Sequence, residues 1–157
     1  MSDPDKQPLR VIARLRNGRL LKGYLERSQA GDIESLVSED APPLAGPLRL
    51  RSADSDQTLS VPLDSLKALF FVKSFEGSKE YNEVKFFDKQ PVIGGLWVRV
   101  QFHDQECLEG VTHNSLHFLV DEGFFMKPPD PQSNNEILYV IKSSLSDFRV
   151  LGVKPQY

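Results

Sequence analysis

One pattern occurs twice in the 157-residue chain, and it constrains the fold more than any other feature. Residues 11–23 align without a gap with residues 98–110. Residues 59–72 align in the same way with residues 138–151, so both ends of the unit recur in the same order. A repeated unit predicts a duplicated structure. The matched pairs include Val11 with Val98, Ala13 with Val100, Leu15 with Phe102, Gly23 with Gly110, Val61 with Val140, Leu66 with Leu145, and Leu69 with Phe148.

The first segment of each copy has the pattern of a β-hairpin. Apolar side chains alternate through residues 11–15 and again through 98–102, which is the period of a strand with one buried face. Asn17-Gly18 follows in the first copy and predicts a tight primed turn with a positive φ at Gly18. Gly23 and Gly110 lie where we expect the second strand to bend or bulge.

The second segment of each copy predicts two strands separated by a short polar step. The step contains Ser65 in the first copy and Ser143-Ser144 in the second, and it has the length of a 3₁₀ turn. Pro62 cannot donate a ladder hydrogen bond, which supports a break in the first copy.

A long hairpin, a third strand and a strand–3₁₀–strand unit resemble the SH3-like and Sm-like small barrels. The resemblance implies an all-β chain of two tandem five-stranded barrels with short 3₁₀ turns. We expect the first barrel at residues 1–75, a connecting strap at 76–95 and the second barrel at 96–157. Tyr81, Val84 and Phe87 are spaced for a short helix in the strap, and an extended strap fits equally well. Residues 72–83 and 123–135 are similar to segments of uncharacterised bacterial proteins, some associated with PilZ-type signalling.

Basic residues are concentrated at the amino-terminal end, although the net charge is −3. Arg10 and Arg14 have the RxxxR spacing with which PilZ domains grip a cyclic dinucleotide. The resemblance therefore implies an alternative function, a sensor that binds an anionic nucleotide. The downstream Asp/Asn-x-Ser-x-x-Gly of that family is missing, and a solvated strand face gives the same pattern. The candidate ligand-binding residues are Arg10, Arg14, Arg16 and Arg19.

Nucleic acid is not an expected partner. Sm-like proteins that bind RNA carry an Asp-x-x-x-Asn loop and an Arg-Gly. The second copy has Thr112-His-Asn-Ser-Leu-His117 at the first position, and neither copy has the Arg-Gly. The net negative charge also opposes phosphate-driven affinity.

No motif predicts catalysis, a cofactor or a metal. GxSxG, P-loop, HExxH and dinucleotide-binding fingerprints are missing. His113 and His117 would share one face of an unbroken strand, with Asp121 extending it, which leaves a metal-dependent enzyme as a third hypothesis. Surface histidines near a turn explain the pair better. Cys107 is the only thiol, so no intramolecular disulfide can form, and we interpret it as a small buried side chain.

Three phenylalanine pairs point to a binding surface. Phe70-Phe71, Phe86-Phe87 and Phe124-Phe125 hold six of the ten phenylalanines. Neighbours on a strand point to opposite faces, so one ring of each pair leaves its own barrel. Packing of one barrel on the other would cover such rings, and so would a protein partner or a second copy. The proline-rich loop before Asn134 and Asn135 is a second candidate. The predicted partner surface is Phe71, Phe87, Phe124, Asn134 and Asn135.

The amino terminus is polar and lacks a secretory signal, and the longest apolar stretches are far shorter than the ~20 residues of a membrane span. We expect a cytoplasmic protein without membrane contact. The leading hypothesis is a non-enzymatic protein-interaction or regulatory module, formed by one basic and one acidic barrel docked through aromatic rings.

Overall fold

The computed structural model describes residues 7–31, 44–76, 95–113, 121–129 and 134–154, and it confirms an all-β fold. Most of the strap and Phe87 lie outside these residues. The first half contains strands β1 (Leu9–Leu15), β2 (Leu20–Leu25), β3 (Leu48–Ser52), β4 (Thr58–Val61) and β5 (Leu66–Val72), with one helical turn, α1 (Arg27–Ala30), and a 3₁₀ turn at Leu63–Ser65. The second half contains β6 (Gly95–Phe102), β7 (Cys107–Thr112), β8 (Gly123–Met126), β9 (Asn135–Ile141), a 3₁₀ turn at Lys142–Ser144 and β10 (Leu145–Lys154).

The first hairpin has a three-residue loop. The Leu15 N–H donates to the Arg19 carbonyl at 2.9 Å, and the Gly18 N–H donates to the Leu15 carbonyl at 3.0 Å. Gly18 has a φ of 91°, which confirms the predicted positive φ. The primed two-residue turn was wrong, because it also needs a positive φ at Asn17, which Asn17 does not have.

The second hairpin repeats these contacts 87 positions later. The Phe102 N–H donates to the Glu106 carbonyl at 2.9 Å, and the Gln105 N–H donates to the Phe102 carbonyl at 3.0 Å. Gln105 has a φ of 77° where the first hairpin has glycine. The second loop therefore carries a side chain in a conformation that L-residues rarely adopt.

The strands form a seven-stranded sheet of order β4-β3-β2-β1-β5-β9-β8 and a three-stranded sheet of order β10-β6-β7. A single bridge between Val111 and Lys127 links β7 to β8. Antiparallel pairing of β5 with β9 joins the two halves, and we call this pairing the seam. We expected the halves to dock through aromatic rings, and backbone hydrogen bonds of the seam also join them.

Two buried apolar clusters lie on opposite faces of the seven-stranded sheet. The first contains Val11 and Phe71, while the second contains Phe70 and is closed by Val98 and Phe102 of the three-stranded sheet. All seven residues of β5 are buried. The strand is hydrogen-bonded along both edges and covered on both faces, which accounts for its nearly continuous apolar sequence.

Gly23 and Gly110 allow close approach between strands, and the pairings show no bulge at either position. Neither β2 nor β7 shows a register shift in its pairings at these positions. A Cβ on Gly23 would lie 2.7 Å from the Arg51 carbonyl oxygen, and one on Gly110 would overlap Met126. Among the described helices, none is long and apolar enough to cross a membrane.

Candidate interaction site

The amino-terminal arginines contact other parts of the chain. Arg10 and Arg14 lie on the same face of β1 as Ile12, which packs against the second cluster. The Arg14 guanidinium lies 3.2 Å from Glu106 Oε1, and its Cζ is 4.5 Å from the centre of the Phe70 ring. Arg14 therefore pairs with an acidic residue of the opposite half, where the nucleotide hypothesis expects a phosphate.

The other three candidate arginines have separate surroundings. Arg10 Nη1 donates to the Lys73 carbonyl at 3.2 Å, and Arg16 donates to the Ser143 hydroxyl. Arg19 is exposed in the first hairpin, where its backbone N–H donates to Asn17 Oδ1 at 2.9 Å. Arg10, Arg14 and Arg16 thus contact three different parts of the chain, and these contacts do not form one phosphate clamp.

A charged junction at Lys67 of β5 joins the first half to the β6–β7 hairpin of the second. Its Nζ lies 2.6 Å from Asp104 Oδ2, 2.8 Å from Glu106 Oε1 and 4.6 Å from the centre of the Phe102 ring. The hydrogen bond from Lys67 holds the pKa of the Asp104 carboxyl below its usual value, and the backbone N–H of Glu106 acts in the same direction. At this junction a basic residue of the first half and acidic residues of the second half neutralise each other within one molecule.

Two pockets flank this junction, and both are small. One has a volume of about 40 Å³ and is lined by residues that include Arg14, Glu106 and Met126. The other has a volume of about 110 Å³ and is lined by Arg16, Lys67, Phe102, His103, Asp104 and Ser144. Pockets that enclose drug-sized ligands measure roughly 300–1,000 Å³, so neither pocket can enclose a dinucleotide.

The aromatic residues expected at the surface are in the core. Phe71 is 0% exposed and Phe124 is 5% exposed. The rings of Phe70 and Phe71 point to opposite faces, as predicted for neighbours on a strand, but each face carries its own buried cluster. The assignment of Phe71 and Phe124 to a partner surface is therefore corrected.

The two asparagines hold the end of the seam. The Asn134 side chain accepts from the Ser74 N–H at 3.0 Å and donates to the Ser74 carbonyl at 2.8 Å. Asn135 opens β9 and lies opposite Val72 of β5. These contacts support the seam, so the polar character of this loop has a structural explanation.

The outer edge of β10 is a surface that sequence reasoning missed. One edge of β10 pairs with β6, and the other has no strand partner among the described residues. Val150, Leu151 and Val153 are 48%, 37% and 60% exposed, and the only other large apolar side chain so exposed in the described ranges is Leu20. The apolar run Val150-Leu-Gly-Val153 was the sequence feature that could have pointed to this surface. The equivalent strand β5 is apolar because it is buried throughout, so an apolar run in β10 also indicates a surface that something covers.

The described residues do not form the metal site of the third hypothesis. His113 is partly buried at the end of β7, and His117 lies outside the described residues. The described ranges bring together no three His, Cys, Asp or Glu side chains that could hold an ion. Cys107 is a free, partly buried thiol.

Comparison with known proteins identifies a family but no activity. Neither the curated proteins nor the solved structures contain a match to this chain. A family of unknown function, DUF6982, matches residues 7–152, a range that spans both halves. The chain belongs to this family.

Proposed function

We propose that the chain is a non-enzymatic protein-interaction or regulatory module that binds a protein partner by adding a strand to the outer edge of β10. The observation that carries the proposal is the exposed run of Val150, Leu151 and Val153 on that edge. An unpaired edge offers a row of backbone donors and acceptors to an incoming strand. Exposed apolar side chains add contact area that a partner would remove from water.

The contacts of Arg14 favour this proposal over the nucleotide sensor. A phosphate at Arg14 would have to displace the Glu106 carboxylate, which Lys67 also holds. Arg10 already donates to the Lys73 carbonyl. The sensor hypothesis would therefore require the ion pairs of Glu106 with Arg14 and Lys67 to break before a ligand could bind.

The proposed module is a pair of small barrels of the SH3-like or Sm-like type. Equivalent hydrogen bonds support the duplication. The Arg16 N–H donates to the Ser65 carbonyl at 2.9 Å, and 87 positions later the His103 N–H donates to the Ser144 carbonyl at 3.1 Å. In each half, the loop of the first hairpin thus contacts the 3₁₀ turn.

Site-specific photo-crosslinking tests the function. A photoreactive phenylalanine analogue at Val153 is expected to capture a partner in cells that produce the chain. The same analogue at Leu20, which is 55% exposed on β2, is the matched control and should capture none. The Val153 crosslink should disappear when Leu151 is changed to Lys. Equal capture at both positions, or none at Val153, would reject the proposal.

Thermal shift measurements test the alternative function. The melting temperature should not change when a cyclic dinucleotide is added, because a ligand stabilises a fold only if it binds the folded state. A rise that is lost in Arg14→Ala would instead favour the nucleotide sensor.

A further inference from the structure

The seam is a template for a contact between molecules. It joins the fifth strand of the first half, β5, to the fourth strand of the second half, β9. The pairing is antiparallel and runs from Ala68 opposite Val140 to Val72 opposite Asn135. Each half therefore contributes a different edge to the seam, so the contact is heterologous.

In the repeat, the two strand edges of the seam correspond to the outer edges of β10 and β4. With the bridge between Val111 and Lys127, the strands form one run from β4 to β10. Among the described residues, β4 and β10 each pair with a strand on one edge only. β4 is the fourth strand of the first half, and β10 is the fifth strand of the second.

We infer that β10 of one molecule pairs antiparallel with β4 of a second copy, head to tail. The inference rests on the proposed function and names its partner. Transferring the register of the seam by 79 positions places Val150 opposite Thr58 of the second copy and Asp147 opposite its Val61. Thr58 is exposed, so β4 of the second copy is accessible to β10.

The chemistry of β10 indicates a weaker contact than the seam. At the positions of Ala68 and Phe70 in β5, β10 carries Asp147 and Arg149, whose side chains pair at 2.8 Å. A face with this ion pair remains in water, whereas the equivalent face of β5 is covered by the second cluster. The contact is thus limited to the strand edges, and Val150 is the one residue of the exposed apolar run that lies opposite β4 in this register. Contacts of this limited size are typically weak and reversible.

A heterologous contact makes a distinctive prediction about blocked variants. Val150→Lys blocks β10, while Thr58→Lys with Ser60→Lys blocks β4, since lysines on an edge oppose strand addition. All three side chains are exposed, which favours retention of the fold. Each blocked variant keeps one intact edge. Alone, neither can associate, but a mixture of the two should form a dimer that grows no further.

Sedimentation velocity over a range of concentrations tests the inference. We expect the wild type and the control Leu20→Lys to increase in average mass with concentration, each blocked variant to remain monomeric, and the mixture to reach the mass of a dimer. Formation of the mixed dimer also shows that both variants are folded. Circular dichroism melting of each variant gives a second check of folding.

Other outcomes would overturn the inference. A wild type that stays monomeric at every concentration rejects it, and crosslinking at Val153 then decides the proposed function separately. If only the β10 variant loses association, β10 pairs with itself, so the head-to-tail contact is wrong while the proposed function survives. If both variants associate like the wild type, self-association uses another surface and the inference fails.

Discussion

The ammonium group of Lys67 lies 2.6 Å from the Asp104 carboxylate, and this ion pair links β5 of the first half to the β6–β7 hairpin of the second. The Lys67 side chain is 10% exposed, while that of Asp104 is 55% exposed. A mostly buried cation thus has its charge balanced by a carboxylate that water can reach. The pair also ties the second hairpin to β5.

The first prediction concerns the pH dependence of this pair. Lys67 lowers the pKa of Asp104 in the folded protein, so the pair stabilises the fold above the ordinary carboxyl pKa of about 4. That stabilisation is lost as the pH falls through the folded pKa. Urea unfolding should show wild type more stable than Asp104→Asn at neutral pH, with the difference shrinking below about pH 4. Asp54→Asn, at an exposed loop position, is the control. A gap that is constant with pH would contradict the assignment.

The second prediction concerns the hairpin loops. Gly18→Val should lower the free energy of unfolding by about 1–3 kcal/mol, the cost of a strained backbone position. A Cβ there would meet no atom within 4 Å, so the loss comes from the backbone alone. Gln105→Gly should act in the opposite direction, by up to about 1 kcal/mol, because it relieves a positive φ. Denaturant unfolding measures both, and an unchanged midpoint for Gly18→Val would disprove the loop conformation.

The third prediction follows from the burial of Phe124. Its ring packs edge-on against Phe148, with centres 5.8 Å apart. Phe124→Ser should lower the free energy of unfolding by about 3–5 kcal/mol, as expected when a buried aromatic side chain is truncated. Leu20→Ser, at an exposed position, should change it by less than about 0.5 kcal/mol. Similar small effects of both changes on the melting temperature would place Phe124 at the surface.

The fourth prediction concerns the close approach at Gly110. A Cβ at this position would overlap the Met126 side chain and lie 2.8 Å from the Lys127 carbonyl oxygen. Gly110→Ala should therefore destabilise the fold by about 1–3 kcal/mol. Met126→Ala is destabilising by itself because Met126 is buried, but in that background Gly110→Ala should cost less than in the wild type, since the shorter side chain removes one of the two overlaps. Strict additivity in the double-mutant cycle would show that these residues do not touch.

Local patterns in the sequence were sufficient to predict the hairpins but not the seam. Alternation and Asn17-Gly18 located the strands and the positive φ, because both depend on neighbouring residues. Which strand pairs with which across the halves depends on tertiary packing, which no short-range pattern encodes. The nearly uninterrupted apolar run of β5 was nevertheless a usable sign that both of its faces are buried.

The candidate site shows the same division. The charge asymmetry was correctly noticed, but a basic segment alone cannot reveal that its partner is Glu106. The phenylalanine pairs were assigned to opposite faces by strand geometry, which holds for Phe70 and Phe71. The predicted exposure of the Phe71 and Phe124 rings was wrong, because the prediction did not include a second buried cluster on the other face of the sheet.

The seam also has a consequence for the order in which the protein is made. A ribosome completes β5 well before β9, so the nascent first half has an unpaired strand edge and the uncovered side chains of Phe70 and Val72. Such edges are prone to aggregation until a partner strand pairs with them. During synthesis the first half is thus expected to need a chaperone or rapid delivery of the second half. In the completed protein, where β9 pairs with β5, the two halves should unfold together in one cooperative thermal transition.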